Sequence, residues 1–152
     1  MMEQMPLWSA WGLVVVAALW AFGVGLGHEE TLWRLCYTPG DGTGVTALRT
    51  VALHVVLTVA CLGCMIALLG VQESAPTRSW VGGGVWAATV AVIGPIAMST
   101  CPSRGGLSPT PRDLTLAGAT LGQARVVAWV AGTFAGVEVV LLITSAFVAF
   151  LP

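Results

Sequence analysis

The chain has 152 residues, 57% of them hydrophobic and only 9% charged. A soluble domain carries about 25% charged residues, so this chain lacks the polar surface to keep a globule in water. Six basic against seven acidic residues, net charge −1, leave no basic patch for nucleic acid and too little charge for disorder.

A mean hydropathy of +0.89 then points to an integral membrane protein. Lys and Asn are absent while Gly, Ala, Val and Arg abound, the codon bias of a GC-rich genome and no functional signal. A bilayer core needs roughly 20 apolar residues per helix. Four runs qualify, so the expected fold is all-α: a single transmembrane domain over 1–152, with four helices in an antiparallel bundle and short loops.

The first span covers about 7–27; only Glu3 precedes it and the run is too long for a signal peptide, so it is read as a true span. Loop one, 28–44, holds Pro39, Gly40, Asp41, Gly42 and Gly44, a turn cluster. The second span covers about 45–71. Loop two, 72–80, is short and makes the second and third spans antiparallel neighbours. The third span, about 81–100, opens on three glycines and should kink at Gly94–Pro95. Loop three, 101–123, starts with Pro and Gly that cannot continue a helix. From Asp113, a candidate N-cap, it can be helical, as an interfacial turn or an extension of the fourth span, about 124–151. In each half of the chain a Cys (Cys36, Cys101) precedes a Pro/Gly turn, a weak sign of two-fold repetition.

Arg34, Arg49, Arg104, Arg112 and Arg125 lie in or beside loops one and three, against Arg78 alone on the other side. The positive-inside rule then places loops 28–44 and 101–123 in the cytoplasm and both termini opposite. Trp8, Trp11 and Trp80 are expected to mark one interface, and Trp33 and Trp129 the other.

Glu138 is the sharpest single feature, an acid near the middle of the fourth span. At that depth it must face protein or water, as a proton or ion site or as a hydrogen-bonding strut. The other spans offer no obvious base at its depth, so Glu138 is expected to carry its proton.

The second span carries Thr50, His54, Thr58, Cys61 and Met65 on one helical face. With His28 in loop one, and Met98 and Cys101 at the end of the third span, His54 is a candidate ligand for haem iron or a soft metal. The competing reading is ordinary helix packing. Cys61 and Cys64 form a Cys-x-x-Cys in mid-membrane, where apolar burial works against thiol chemistry. Cys36 and Cys101 are better placed for thiol exchange, and a reducing cytoplasm would keep them free. Gly23-x-x-x-Gly27 and Gly132-x-x-x-Gly136 are small-residue motifs for close helix packing.

Leu32–Trp33–Arg34–Leu35–Cys36 is similar to a fragment of the claudin signature. That family has a long first loop with a second Cys; loop one here is short with one Cys, so the chain is not assigned to it. Small size, minimal loops and the lack of nucleotide, protease or triad motifs favour a non-catalytic membrane subunit or scaffold. It would sit in the lipid bilayer within a larger bioenergetic or transport complex, among other subunits or copies of itself. The alternatives are a small proton-coupled transporter using Glu138, and a metal, haem or thiol redox protein using His28, His54, Met98 and the cysteines.

Overall fold

A computed structural model describes residues 5–74, 79–100 and 111–150. Six helices follow in order: α1 Leu7–Gly27, α2 Glu29–Trp33, α3 Thr43–Ser74, α4 Trp80–Thr100, α5 Pro111–Leu116 and α6 Leu121–Phe150. No strand occurs among the described residues. Helices α1, α3, α4 and α6 are each long and apolar enough to cross a membrane, and the protein is a multi-pass integral membrane protein built as an all-α four-helix bundle. Outward positions such as Val16, Leu19, Val56, Val92, Val140 and Phe147 are exposed and apolar, as contact with lipid requires.

The spans begin and end within three residues of the sequence expectation. Helix α6 starts earlier because Thr120 and Gln123 form a capping box. The Thr120 N–H donates to Gln123 Oε1 (2.8 Å), and the Gln123 N–H to Thr120 Oγ1 (3.3 Å). Helix α5 is a separate interfacial turn. It begins at Pro111, so Asp113 sits in its first turn and is not the N-cap. It ends in a Schellman motif: Gly118 has φ +99°, the Ala119 N–H donates to Leu114 O and the Gly118 N–H to Thr115 O. In loop one, Thr38–Asp41 form a turn with Gly40 at φ +97° and the Asp41 N–H donating to Thr38 O (3.1 Å).

Consecutive spans run antiparallel, but the most extensive packing joins parallel ones, α3 with α6 and α1 with α4. Along α3 and α6, Thr43 meets Gly122, His54 meets Glu138 and Gln72 bonds Val148 O, so both chains advance together. Along α1 and α4, Leu13 lies by Gly83, Trp20 by Ala91 and Gly25 by Pro95. Helix α4 also packs antiparallel on α6, where the Trp86 Nε1–H donates to Leu142 O (3.1 Å). Both halves share the order long helix, short helix, long helix, and each long helix packs on its counterpart.

Small residues make the α1–α4 contact, but not those the Gly-x-x-x-Gly pattern singles out. Gly23 and Gly27 face away, with nothing within 4 Å of an added Cβ. The buried line is Ala17, Ala21 and Gly25. A Cβ on Gly25 would sit 3.0 Å from Pro95 O, and one on Gly94 would sit 2.8 Å from Ala21 Cβ. On α6, Gly132 is buried while Gly136 has nothing within 4 Å of an added Cβ. Pro95 lies inside α4 and has no N–H for Ala91 O, its expected i−4 acceptor. The Trp20 Nε1–H donates to that carbonyl instead (3.2 Å).

Two apolar clusters hold the bundle. One centres on Leu57, Leu68, Trp86, Ile93, Leu142 and Phe150 between the long helices. The other joins Trp33, Cys36 and Tyr37 of loop one to Leu114, Ala124 and Val127 of α5 and α6. Trp33 is therefore not an interfacial belt residue. It is 3% exposed, and its Nε1–H donates to Ser99 O (3.0 Å) at the end of α4. Trp8, Trp11, Trp80 and Trp129 do face outward.

Candidate functional site

The site grows from one face of α3. Thr46, Thr50, His54 and Thr58 recur every four residues, one above the next on a helix. The first three are fully buried. This face lies against α6, whose buried positions, including Ala131, Ala135, Glu138 and Leu142, are spaced three or four apart. Small residues at 131 and 135 let the backbones approach, and Glu138 is the one ionisable side chain on that buried line.

His54 Nδ1 lies 2.9 Å from Glu138 Oε1, and both side chains are 0% exposed. This overturns the expectation that Glu138 has no base at its depth. The Thr58 hydroxyl adds a longer bond to the same Oε1 (3.5 Å). The Phe134 ring stacks on the imidazole at 5.9 Å between centroids. Glu138 lies thirteen residues beyond Arg125 and twelve before Phe150, about 20 Å and 18 Å along the helix axis. The pair is thus deep in the span.

Among the described residues, three buried side-chain polar atoms have no hydrogen-bond partner: His54 Nε2, Glu138 Oε2 and Thr46 Oγ1. Each such atom costs about 1–3 kcal/mol, and all three belong to α3 and α6. By contrast, the Thr50 hydroxyl is engaged, donating to Thr46 O (2.8 Å) and reaching Cys36 O (3.4 Å).

Loop one closes the end of the α3–α6 seam. Gln123 Nε2 donates to Thr38 O (3.1 Å) and Asp41 O (2.8 Å). Arg49 pairs with Asp41 Oδ2 (3.1 Å) and also donates to Thr38 Oγ1. The Tyr37 hydroxyl donates to Ala117 O (3.0 Å). Burial pushes the Cys36 thiol up to about 11; the Thr50 hydroxyl opposes this, Glu138 adds to it and Arg49 opposes it. Such a thiol is inert at neutral pH.

The remaining sequence candidates are dispersed. His28 is exposed where α1 ends, and Met98 lines the α1 side of α4 beside Gly25. Cys101 lies outside the described residues. Of the expected ligand set His28, His54, Met98 and Cys101, His54 meets Glu138 on α6, Met98 meets Gly25 on α1 and His28 is exposed. No group of three or more His, Cys, Asp or Glu placed to hold a metal ion occurs among the described residues. Cys61 and Cys64 are free thiols buried in the main apolar cluster.

The sequence reading missed the pairing itself. A signal was available: one acid and one His stand alone in apolar spans, and each needs a buried partner. Thr46, one step before Thr50 on the same face, was also missed. No protein-family model, curated protein or solved structure matches the chain.

Proposed function

We propose that this chain is a small proton-coupled membrane protein whose proton-binding site is the His54–Glu138 pair. The observation that carries the reading is a fully buried acid and base in hydrogen-bond contact, each with a second polar atom left without a partner. A proton moving from Glu138 Oε1 to His54 Nδ1 changes a dipole and leaves net charge unchanged. Adding or removing a proton changes net charge by one in a low-dielectric environment, which is costly. Loading therefore has to be coupled to water entry, a second charge or a change of conformation, as proton-coupled transport requires. A purely structural strut would gain from having all of its polar atoms bonded. The free Nε2 and Oε2 supply the positions where a proton arrives and leaves.

On this reading loops 28–44 and 101–123 face the cytoplasm, a sidedness supported by the Arg bias of the sequence. The second reading, a non-catalytic subunit or scaffold in a bioenergetic or transport complex, draws on the open glycines of α1. Gly12, Gly23 and Gly27 have nothing within 4 Å of an added Cβ, leaving room for another membrane helix. The two readings are compatible if the pair works inside an assembly. Purified protein in liposomes with an internal pH dye tests the first. Glu138→Gln should abolish proton-linked flux, and unchanged flux would exclude this role for the pair. Recovery of stoichiometric partner subunits in mild detergent supports the second.

A further inference from the structure

We infer that the proton site exchanges with one face only, the face carrying residues 28–42, along the buried hydroxyls of Thr46 and Thr50, and is sealed from the opposite face. This rests on the proton-site reading above. Three observations on the two sides of the pair carry it.

Toward loop one, the buried face of α3 stays polar. Thr50 and Thr46 lie one and two helical turns from His54, about 6 Å and 12 Å along the axis, and both are fully buried. Beyond them stand the Gln123 amide and the Thr38 and Asp41 carbonyls. All three unpartnered buried atoms lie on this stretch or in the pair itself. A buried water bonds two to four polar atoms, so Thr46 Oγ1, His54 Nε2 and Glu138 Oε2 are the groups a short water file would link.

In the other direction the seam turns apolar past the half-buried Thr58 hydroxyl, which already bonds Glu138 Oε1 (3.5 Å). Leu57, Cys61, Cys64 and Leu68 of α3 meet Trp86 and Leu142 in one packed cluster. The polar groups there are already bonded: Ser145 Oγ and Trp86 Nε1 both donate to Leu142 O, and Gln72 donates to Val148 O. Among the described residues, no buried side-chain nitrogen or oxygen in that cluster is left without a partner. Two further ionisable side chains lie along the seam, Cys36 on the loop side and Cys61 on the apolar side, both buried. Helix α4 contributes no ionisable side chain.

The test uses full-length protein in vesicles, with orientation scored by a membrane-impermeant maleimide at an exposed Glu30→Cys position. The pH is stepped on one face at a time while infrared difference spectroscopy follows the Glu138 carboxyl, identified by its loss in Glu138→Gln. The expected result is a fast response to a step on the face of residues 28–42 and a response at least about tenfold slower from the other face. Thr46→Val and Thr50→Val should slow the fast response by about tenfold or more. Thr46→Ser and Thr50→Ser should restore it, and Thr144→Val on the exposed side of α6 should leave it unchanged. Equal responses from both faces, a faster response from the opposite face, or indifference to both valines overturns the one-sided path and leaves the proton site standing. No carboxyl response from either face overturns both.

Discussion

The His54–Glu138 contact makes a quantitative prediction about stability that is separate from transport. Glu138→Leu strips the partner from His54 Nδ1 and leaves an imidazole with two unpartnered nitrogens in a fully buried site. The cost is about 1–3 kcal/mol. His54→Phe leaves the carboxyl with only the 3.5 Å bond from Thr58, at a similar cost of about 1–3 kcal/mol. The double variant His54→Phe/Glu138→Leu removes both polar groups, and a phenyl ring at 54 keeps the stacking on Phe134. It should cost less than the sum of the two single variants, because neither polar group is left behind without its partner. The coupling energy sorts the protonation state. Hydrogen bonds between membrane helices average about 0.6 kcal/mol and reach about 1.7, the range for a pair sharing its protons as neutral groups. Breaking a buried ion pair costs about 3–5 kcal/mol. Equilibrium unfolding in mixed detergent micelles measures all four corners of the cycle. Single costs that add to within about 0.5 kcal/mol would refute the contact. Proton flux should be lost in all three variants, whatever part of the stability the double variant keeps.

Three further outcomes follow from the packing. Trp20→Phe should destabilise by about 1–3 kcal/mol, because Ala91 O loses the indole N–H that takes the place of the missing Pro95 donor. In a Pro95→Ala background the restored N–H supplies that carbonyl, so the penalty of Trp20→Phe should shrink, as a second unfolding cycle reads directly. Gly25→Leu should cost about 1–3 kcal/mol through overpacking against Pro95 and Met98, whereas Gly23→Leu and Gly27→Leu should leave monomer unfolding unchanged, and any effect should appear in self-association measured by cross-linking. Alkylation of Cys36 requires its thiolate, and burial holds the thiol up at about 11. Reaction with iodoacetamide should be negligible near neutral pH and rise as pH climbs toward that value; rapid labelling of native protein near neutral pH would contradict the burial.

Much of the fold can be read along the chain because the bilayer acts locally. Hydrocarbon thickness sets how many apolar residues a helix needs, so the four spans appear as four runs. Their ends shift by two or three residues where caps intervene, as at Thr120 and Gln123, whose reciprocal bonds carry α6 beyond the apolar window. The Gly25 contact shows the limit of a spacing rule. Gly23, Gly25 and Gly27 sit within five residues, and which one meets α4 depends on helix rotation, since lipid rewards every apolar face of α1 equally. Trp33 fails as an interface marker for a related reason: the chain folds back over the end of α4, and an indole N–H finds a free carbonyl there before it finds a headgroup.

The sequence by itself determined the class, the number of spans and the two residues that cannot face lipid, His54 and Glu138, because burial costs follow from residue type and position in a span. Only the tertiary structure decided that these two answer each other. They stand 84 residues apart, on helices that are not consecutive and that run parallel, and apolarity is blind to which neighbour a helix selects. The axial register of α3 on α6 brings Nδ1 to Oε1 and leaves Nε2 and Oε2 without partners, turning two isolated polar residues into one site.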